Sequence, residues 1–311
     1  MKLATYVHGG RESFGVVGAA GVLDIRSVWP DGPASVLEAL RGGDDTMAKI
    51  REIADSGRVE TMPLGDAALR APLPAPPKLI GLAVNYAEHH REMDRGCDLP
   101  ARPKQDTTPR PFLMPATAVA DPGAEIPWPD FSREVDHEVE LAVVIGRTAR
   151  RIRPDQAAGC IAGYTIANDI SARSVTHAAG RAERPKDGFF DWLHGKWADG
   201  FCPLGPWLVT ADEVGDPQAL DIELTVDGEV RQKSSTRHMI FSVRELVAFC
   251  SHLMTLTPGD VIATGTPSGV GKATGKLLRP GQRVTCRIEK IGELTNTLGQ
   301  PPAGFYEPCE E

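Results

Sequence analysis

Glu138 and Glu140 alternate with apolar residues in the segment DHEVELAVVIG (136–146), and Asp169 closes the run GYTIAND (163–169). Alternate residues of a strand share a face, so Asp136, Glu138 and Glu140 are expected on one side if this segment is a strand. The apolar, β-branched run LAVVI behind them favours a strand bound for a core. Carboxylates crowded on a buried strand repel one another and are costly to desolvate, and a cation relieves both costs. The second run can deliver Asp169 from a neighbouring strand end. Glu138, Glu140 and Asp169 then form an all-oxygen ligand set. That set suits Mg²⁺, Mn²⁺ or Ca²⁺ better than Zn²⁺. A solvated sheet face is the alternative reading of the same alternation.

A second chemical pair lies upstream in NYAEHHREMD (85–94). His89 and Glu92 stand three apart, so on a helix they share a face and can hydrogen-bond. A carboxylate that orients an imidazole makes a general base, although a wet helix surface shows the same spacing. Arg173 and Lys196 fall in the mixed, irregular stretch 171–200. Either can neutralise an anionic substrate, or simply form an exposed salt bridge. The glycine-rich stretch VIATGTPSGVGKATG (261–275) fails as a phosphate loop. A nucleotide P-loop needs Gly at Thr266 and a hydroxyl residue at Ala273. No G-x-S-x-G elbow surrounds Ser268. What remains is a tight loop after a strand, whose amides and Thr266 hydroxyl can hold an anion.

These side chains need a scaffold, and the chain of 311 residues can build a large core. Residues 1–70 read as a small N-terminal module of short strands and two helical runs. The segment APLPAPP (71–77), with four prolines, reads as a stiff linker. The main domain, 78–311, opens on the strand KLIGLAV. The charged stretch 95–110 beside the His-Glu pair is a candidate lid. Asp227-Gly228 marks a hairpin. The run FSVRELVAFCSHLMT is the clearest helix. Its Ser242 and Glu245 form a capping box, and Val243, Leu246, Val247, Cys250, Leu253 and Met254 form its apolar stripe.

Composition is globular, with 41% hydrophobic residues, and the net charge is −8. With no basic stripe, nucleic acid is excluded as the main partner. No apolar run approaches the length of a membrane span, and the first twenty residues lack an apolar signal core. The six cysteines, at 97, 160, 202, 250, 286 and 309, form no C-x-x-C. That pattern fits reduced thiols in the cytoplasm.

From about residue 78 to 298 the chain resembles the fumarylacetoacetate hydrolase family, in particular members related to acylpyruvate hydrolases and oxaloacetate decarboxylases. The resemblance rests on NYAEHHREM, DHEVELAVVIG, GYTIANDISAR, HGKWADGFCPLGPWLVT, VRQKSSTRHMIFS, LTPGDVIATGTPSGVG and IGELTN, in that order. It implies an α+β, mainly β fold: a mixed β-sandwich roll carrying the small N-terminal α/β module, usually a homodimer. It implies Mg²⁺ or Mn²⁺ on Glu138, Glu140 and Asp169. It makes His89 and Glu92 a water-activating dyad on a segment that orders over substrate. Lys196 and Thr266 would lie near substrate oxygens, and Arg173 and Gln232 would line the pocket. One departure stands out. Many relatives carry F-x-K-P where this chain has Phe112-Leu113-Met114-Pro115, so a positive group that could contact an anion is missing.

The resemblance implies cleavage of a carbon–carbon bond in a small 2,4-dioxo acid, an activity met in aromatic-compound catabolism. Decarboxylation of oxaloacetate, or isomerisation of an unsaturated dioxo acid, uses the same enolate. A module that binds metal and dicarboxylates without turnover is the non-enzymatic alternative.

Overall fold

The computed structural model describes residues 1–57, 61–93, 104–175, 182 and 184–306. Most of the proposed lid therefore lies outside the described residues, as do Cys97 and Cys309. Strands outweigh helices, and the sheets are mixed, giving the expected α+β, mainly β class.

The largest sheet has eleven strands. Its spine runs Gly21–Asp24, Arg11–Gly18, Lys2–His8, Cys202–Thr210, Ile161–Asn168, Val139–Ile145, Val261–Ala263, Leu79–Ala83 and Arg110–Met114. The carboxylate strand Val139–Ile145 is central and buried throughout. Its side chains divide by parity, as the pleat requires. Leu141, Val143 and Ile145 join a core beneath a second, five-stranded sheet and the helix Val243–Leu253. Ala142 and Val144 join a core shared with Leu3, Phe14, Val36 and Ile50. Glu140 belongs to this second parity.

The N-terminal strands extend the same sheet: Lys2 pairs with Val209 and Leu3 with Leu208. In the segment 71–77, Ala71 and Leu73 are buried in the core that Leu3 shares with Leu79 and Met114. Met114 sits in that core because its strand pairs it with Leu79. Its apolar side chain suits that place, and it does not line the site cavity described below.

Two local expectations need correction. The segment from Asp136 is not one continuous strand. Val135–Asp136 pairs with Ser171–Ala172 in a separate ribbon, and the main strand begins only at Val139. Asp136 is bound instead by the Gly271 and Lys272 amides and shares Arg173 with Glu138. The helix Val243–Leu253 has its capping box, but Leu253 is 57% exposed in the last turn. Among the described residues no helix is long and apolar enough to cross a membrane.

Candidate active site

The three carboxylates meet where two central strands end. Val139 pairs with Asn168, and the Asp169 amide donates to the Glu138 carbonyl at 2.9 Å. Asn168 Oδ1 accepts from the Glu138 amide at 3.0 Å, which fixes the break in the strand. One oxygen each from Glu138, Glu140 and Asp169 then lies within 4.8 Å of the others.

Two cations lie against this cluster. Lys196 Nζ donates to Glu138 Oε2 at 2.7 Å and to Asp169 Oδ2 at 2.8 Å. Arg173 donates to Glu138 Oε1 at 2.5 Å and to Asp136 Oδ2 at 2.9 Å. Both are buried, so neither forms the exposed salt bridge that sequence alone left open.

The electrostatics separate the carboxyls. Burial works against ionised Glu138, but Lys196 and Arg173 outweigh it and hold the group at about 2. Burial pushes Asp169 up to about 6, with Glu138 adding to the rise and Lys196 opposing it. Burial, then Asp169 and Glu138, raise Glu140 well above the usual carboxylate range. Asp169 Oδ1 is buried and has no hydrogen-bond partner. Three buried carboxyls, one with an orphaned oxygen, fit a hard divalent cation such as Mg²⁺ or Mn²⁺.

The helix Ala87–Met93 presents the second pair. His89 Nδ1 and Glu92 Oε1 are 2.8 Å apart, and His89 is only 6% exposed. Glu92 is itself anchored, because the Gly269 amide donates to it at 2.9 and 3.1 Å. Asn85, just before the helix, donates to the carbonyls of Phe241 and Thr264 and accepts from the Phe241 amide. Those bonds tie the helix to the loop that follows Val261–Ala263. His89, Glu138, Lys196, Arg173 and Thr266 line a cavity of about 100 Å³. Leu82, Phe112 and Trp192 add apolar surface to the same lining.

The glycine-rich loop does hold anions, and they are the protein's own carboxylates. The Gly265 amide donates to Glu140 at 2.8 Å, Gly269 to Glu92, and Gly271 and Lys272 to Asp136 at 2.6 and 2.9 Å. The Thr266 hydroxyl donates to the Val139 carbonyl at 2.9 Å and accepts from Gln232 Nε2 at 2.8 Å. Gln232 also donates to the Pro267 carbonyl and accepts from the Val139 amide. Thr266 therefore reaches the cavity wall. Gln232 does not line the cavity and acts as a clamp behind it. Asn85 and Gly269 escaped the sequence reading because their partners are more than 150 positions away. The helix Asp187–His194, which carries Trp192, lies in the stretch expected to be irregular.

Residues 78–299 match the family described as fumarylacetoacetate (FAA) hydrolase C-terminal. The chain is 40% identical over 280 residues to the mitochondrial oxaloacetate tautomerase FAHD2A of Bos taurus, covering 89% of this chain and 84% of the bovine one. It is 36% identical over 298 residues to the 2,4-didehydro-3-deoxy-L-rhamnonate hydrolase of Sphingomonas sp. SKA58, covering 94% of each chain. Among solved structures it resembles the maleylpyruvate hydrolase of Sphingobium sp. SYK-6 in complex with manganese and pyruvate. That match has a TM-score of 0.75 and 31% identity, covering 97% of this chain and 100% of that one. Since the matched domain spans most of its length, the chain belongs to the fumarylacetoacetate hydrolase family.

Proposed function

We propose that this protein is a Mg²⁺- or Mn²⁺-dependent hydrolase that cleaves the carbon–carbon bond between the 3 and 4 carbons of a 2,4-dioxo acid. The observation that carries the reading is that one cavity is lined both by His89, which Glu92 and Gly269 anchor, and by Glu138 of the carboxylate cluster. A divalent cation on Glu138, Glu140 and Asp169 supplies Lewis acidity to the 2-oxo carboxylate end of the substrate. His89 Nδ1 is engaged by Glu92, which leaves Nε2 to take a proton from water. That water adds to the 4-carbonyl, and Lys196 offsets the developing oxyanion charge. The C3–C4 bond then breaks, its electron pair passing to the pyruvate enolate. The proton held on His89 returns to carbon 3. The products are a carboxylic acid and pyruvate.

Similarity to the oxaloacetate tautomerase favours a second reading, in which the same base only moves a proton between carbon 3 and the enol oxygen. Product analysis separates the two. Proton NMR of a reaction with acetylpyruvate is expected to show acetate and pyruvate in equal amounts. Enol–ketone exchange of oxaloacetate without any cleavage of acylpyruvates would overturn the hydrolase reading in favour of tautomerisation.

The relay behind His89 makes its own prediction. Gly269 has φ +106°, and a Cβ there would lie 2.2 Å from the Arg231 carbonyl oxygen. Gly269→Ala must therefore shift the amide that anchors Glu92. Steady-state kinetics should show kcat lowered by about 10- to 100-fold, with KM little changed. Wild-type kcat in this variant would remove Gly269 from the relay.

A homodimer and a reducing compartment belong to the same proposal. The described cysteines Cys160, Cys202, Cys250 and Cys286 are free thiols, which suits the cytoplasm expected from sequence. The bovine relative carries a mitochondrial name.

A further inference from the structure

Two rings supply aromatic surface to the cavity lining. Phe112 and Trp192 meet edge to face, with centroids 5.0 Å apart and planes at 72°. The Phe112 ring is seated on Gly81, its cross-strand partner: a Cβ at residue 81 would lie 2.4 Å from Phe112 Cζ. Phe189 stands behind Trp192 at 5.9 Å. Packing therefore holds both rings in place.

Charge is distributed differently. Lys196 and Arg173 are the cations lining the cavity among the described residues, and the carboxylate cluster engages both. Arg110 follows the same strand face as Phe112, but it is exposed and outside the lining. Among the described residues, the lining at Phe112 and Trp192 thus offers ring surface, and the lining cations Lys196 and Arg173 are already paired with carboxylates. A second carboxylate placed there would lose hydration without gaining a partner, whereas a flat uncharged group would gain contact with both rings.

We propose that Phe112 and Trp192 form the specificity-determining subsite for the acyl arm of the substrate, and that this arm is a flat, uncharged group, aryl or alkenyl, in preference to one ending in a carboxylate. The proposal rests on the reading of the carboxylate cluster as a metal site for 2-oxo acids, and it names the substrate class of that site.

The test uses Mn²⁺-loaded protein and three 2-oxo acids that lack the cleavable dioxo unit, with dissociation constants measured by calorimetry. Pyruvate has no arm, 2-oxo-4-phenylbutanoate has an aryl arm, and 2-oxoglutarate has a carboxylate arm. Wild type is expected to bind the aryl acid at least about tenfold tighter than 2-oxoglutarate. Trp192→Ala and Phe112→Ala should each reduce that ratio by about tenfold while pyruvate affinity holds. Trp192→Phe, which keeps a ring, should retain most of it, and unchanged pyruvate binding shows that each variant is folded. Tighter binding of 2-oxoglutarate by wild type overturns the proposal, and loss of that preference in Arg110→Ala would then assign the arm to Arg110. An unchanged ratio in Trp192→Ala also overturns it. Failure of pyruvate to bind at all overturns the metal-site reading first, and this proposal with it.

Discussion

Glu140→Gln is expected to abolish the rise in Tm that Mn²⁺ should give the stripped protein. At about 100 times its Kd, a ligand that binds only the folded state adds about 2.7 kcal/mol. For a chain of this size that corresponds to roughly 4 °C in a thermal melt. Glu140 supplies one of three clustered oxygens, and the amide isostere has no negative charge to offer the ion. The metal-free fold should tolerate the change. Burial and the neighbouring carboxylates raise Glu140 well above the usual carboxylate range, so removing its charge costs the metal-free fold little. Glutamine keeps an acceptor for the Gly265 amide. The stripped variant should therefore melt within a few degrees of stripped wild type, while turnover falls by about 10³-fold. An undiminished Mn²⁺ shift in Glu140→Gln would take that residue out of the metal site.

His89→Ala has the converse signature. The carboxylate cluster is untouched, so the Mn²⁺ shift in Tm persists. Loss of a positioned general base lowers kcat by about 10²- to 10⁴-fold, with KM changed much less. Cleavage and proton transfer both need the base, so both fall. Any decarboxylation of oxaloacetate would not require water activation at His89 and should survive. Stopped assays on the two substrate types read this directly. Near wild-type cleavage of a 2,4-dioxo acid by His89→Ala would remove the dyad from the mechanism.

The sequence carries parts of this site because two of its features are local. Alternation in VELAVVI and the terminal Asn-Asp of the next strand place Glu138, Glu140 and Asp169 near one another once the two strands pair. The His89–Glu92 spacing is a single helical turn. The hairpin at Asp227-Gly228 and the capping box at Ser242 are equally short-range.

What remained hidden depends on partners far along the chain. Asp136 shares the parity of Glu138 but is drawn to the amides of Gly271 and Lys272 and to Arg173. Gln232, expected in the pocket, instead spends its amide on Thr266, Pro267 and Val139. Periodicity cannot show that the N-terminal strands would continue the sheet that holds the site, because pairing with Cys202–Thr210 spans some two hundred residues. Nor does it pair Phe112 with Trp192, since the helix carrying Trp192 has only aromatic bulk and a few polar residues as its sequence signal.

The central claim is that the carboxylate cluster, loaded with a hard cation, drives cleavage of a 2,4-dioxo acid. The most direct test is a Mn²⁺ titration of EDTA-stripped protein, following the enol absorbance of acetylpyruvate and the pyruvate formed. Turnover is expected to be negligible without metal, to rise saturably, and to level off near one ion per chain, with pyruvate matching the absorbance lost. Equal turnover in EDTA, or loss of absorbance without pyruvate, would contradict it.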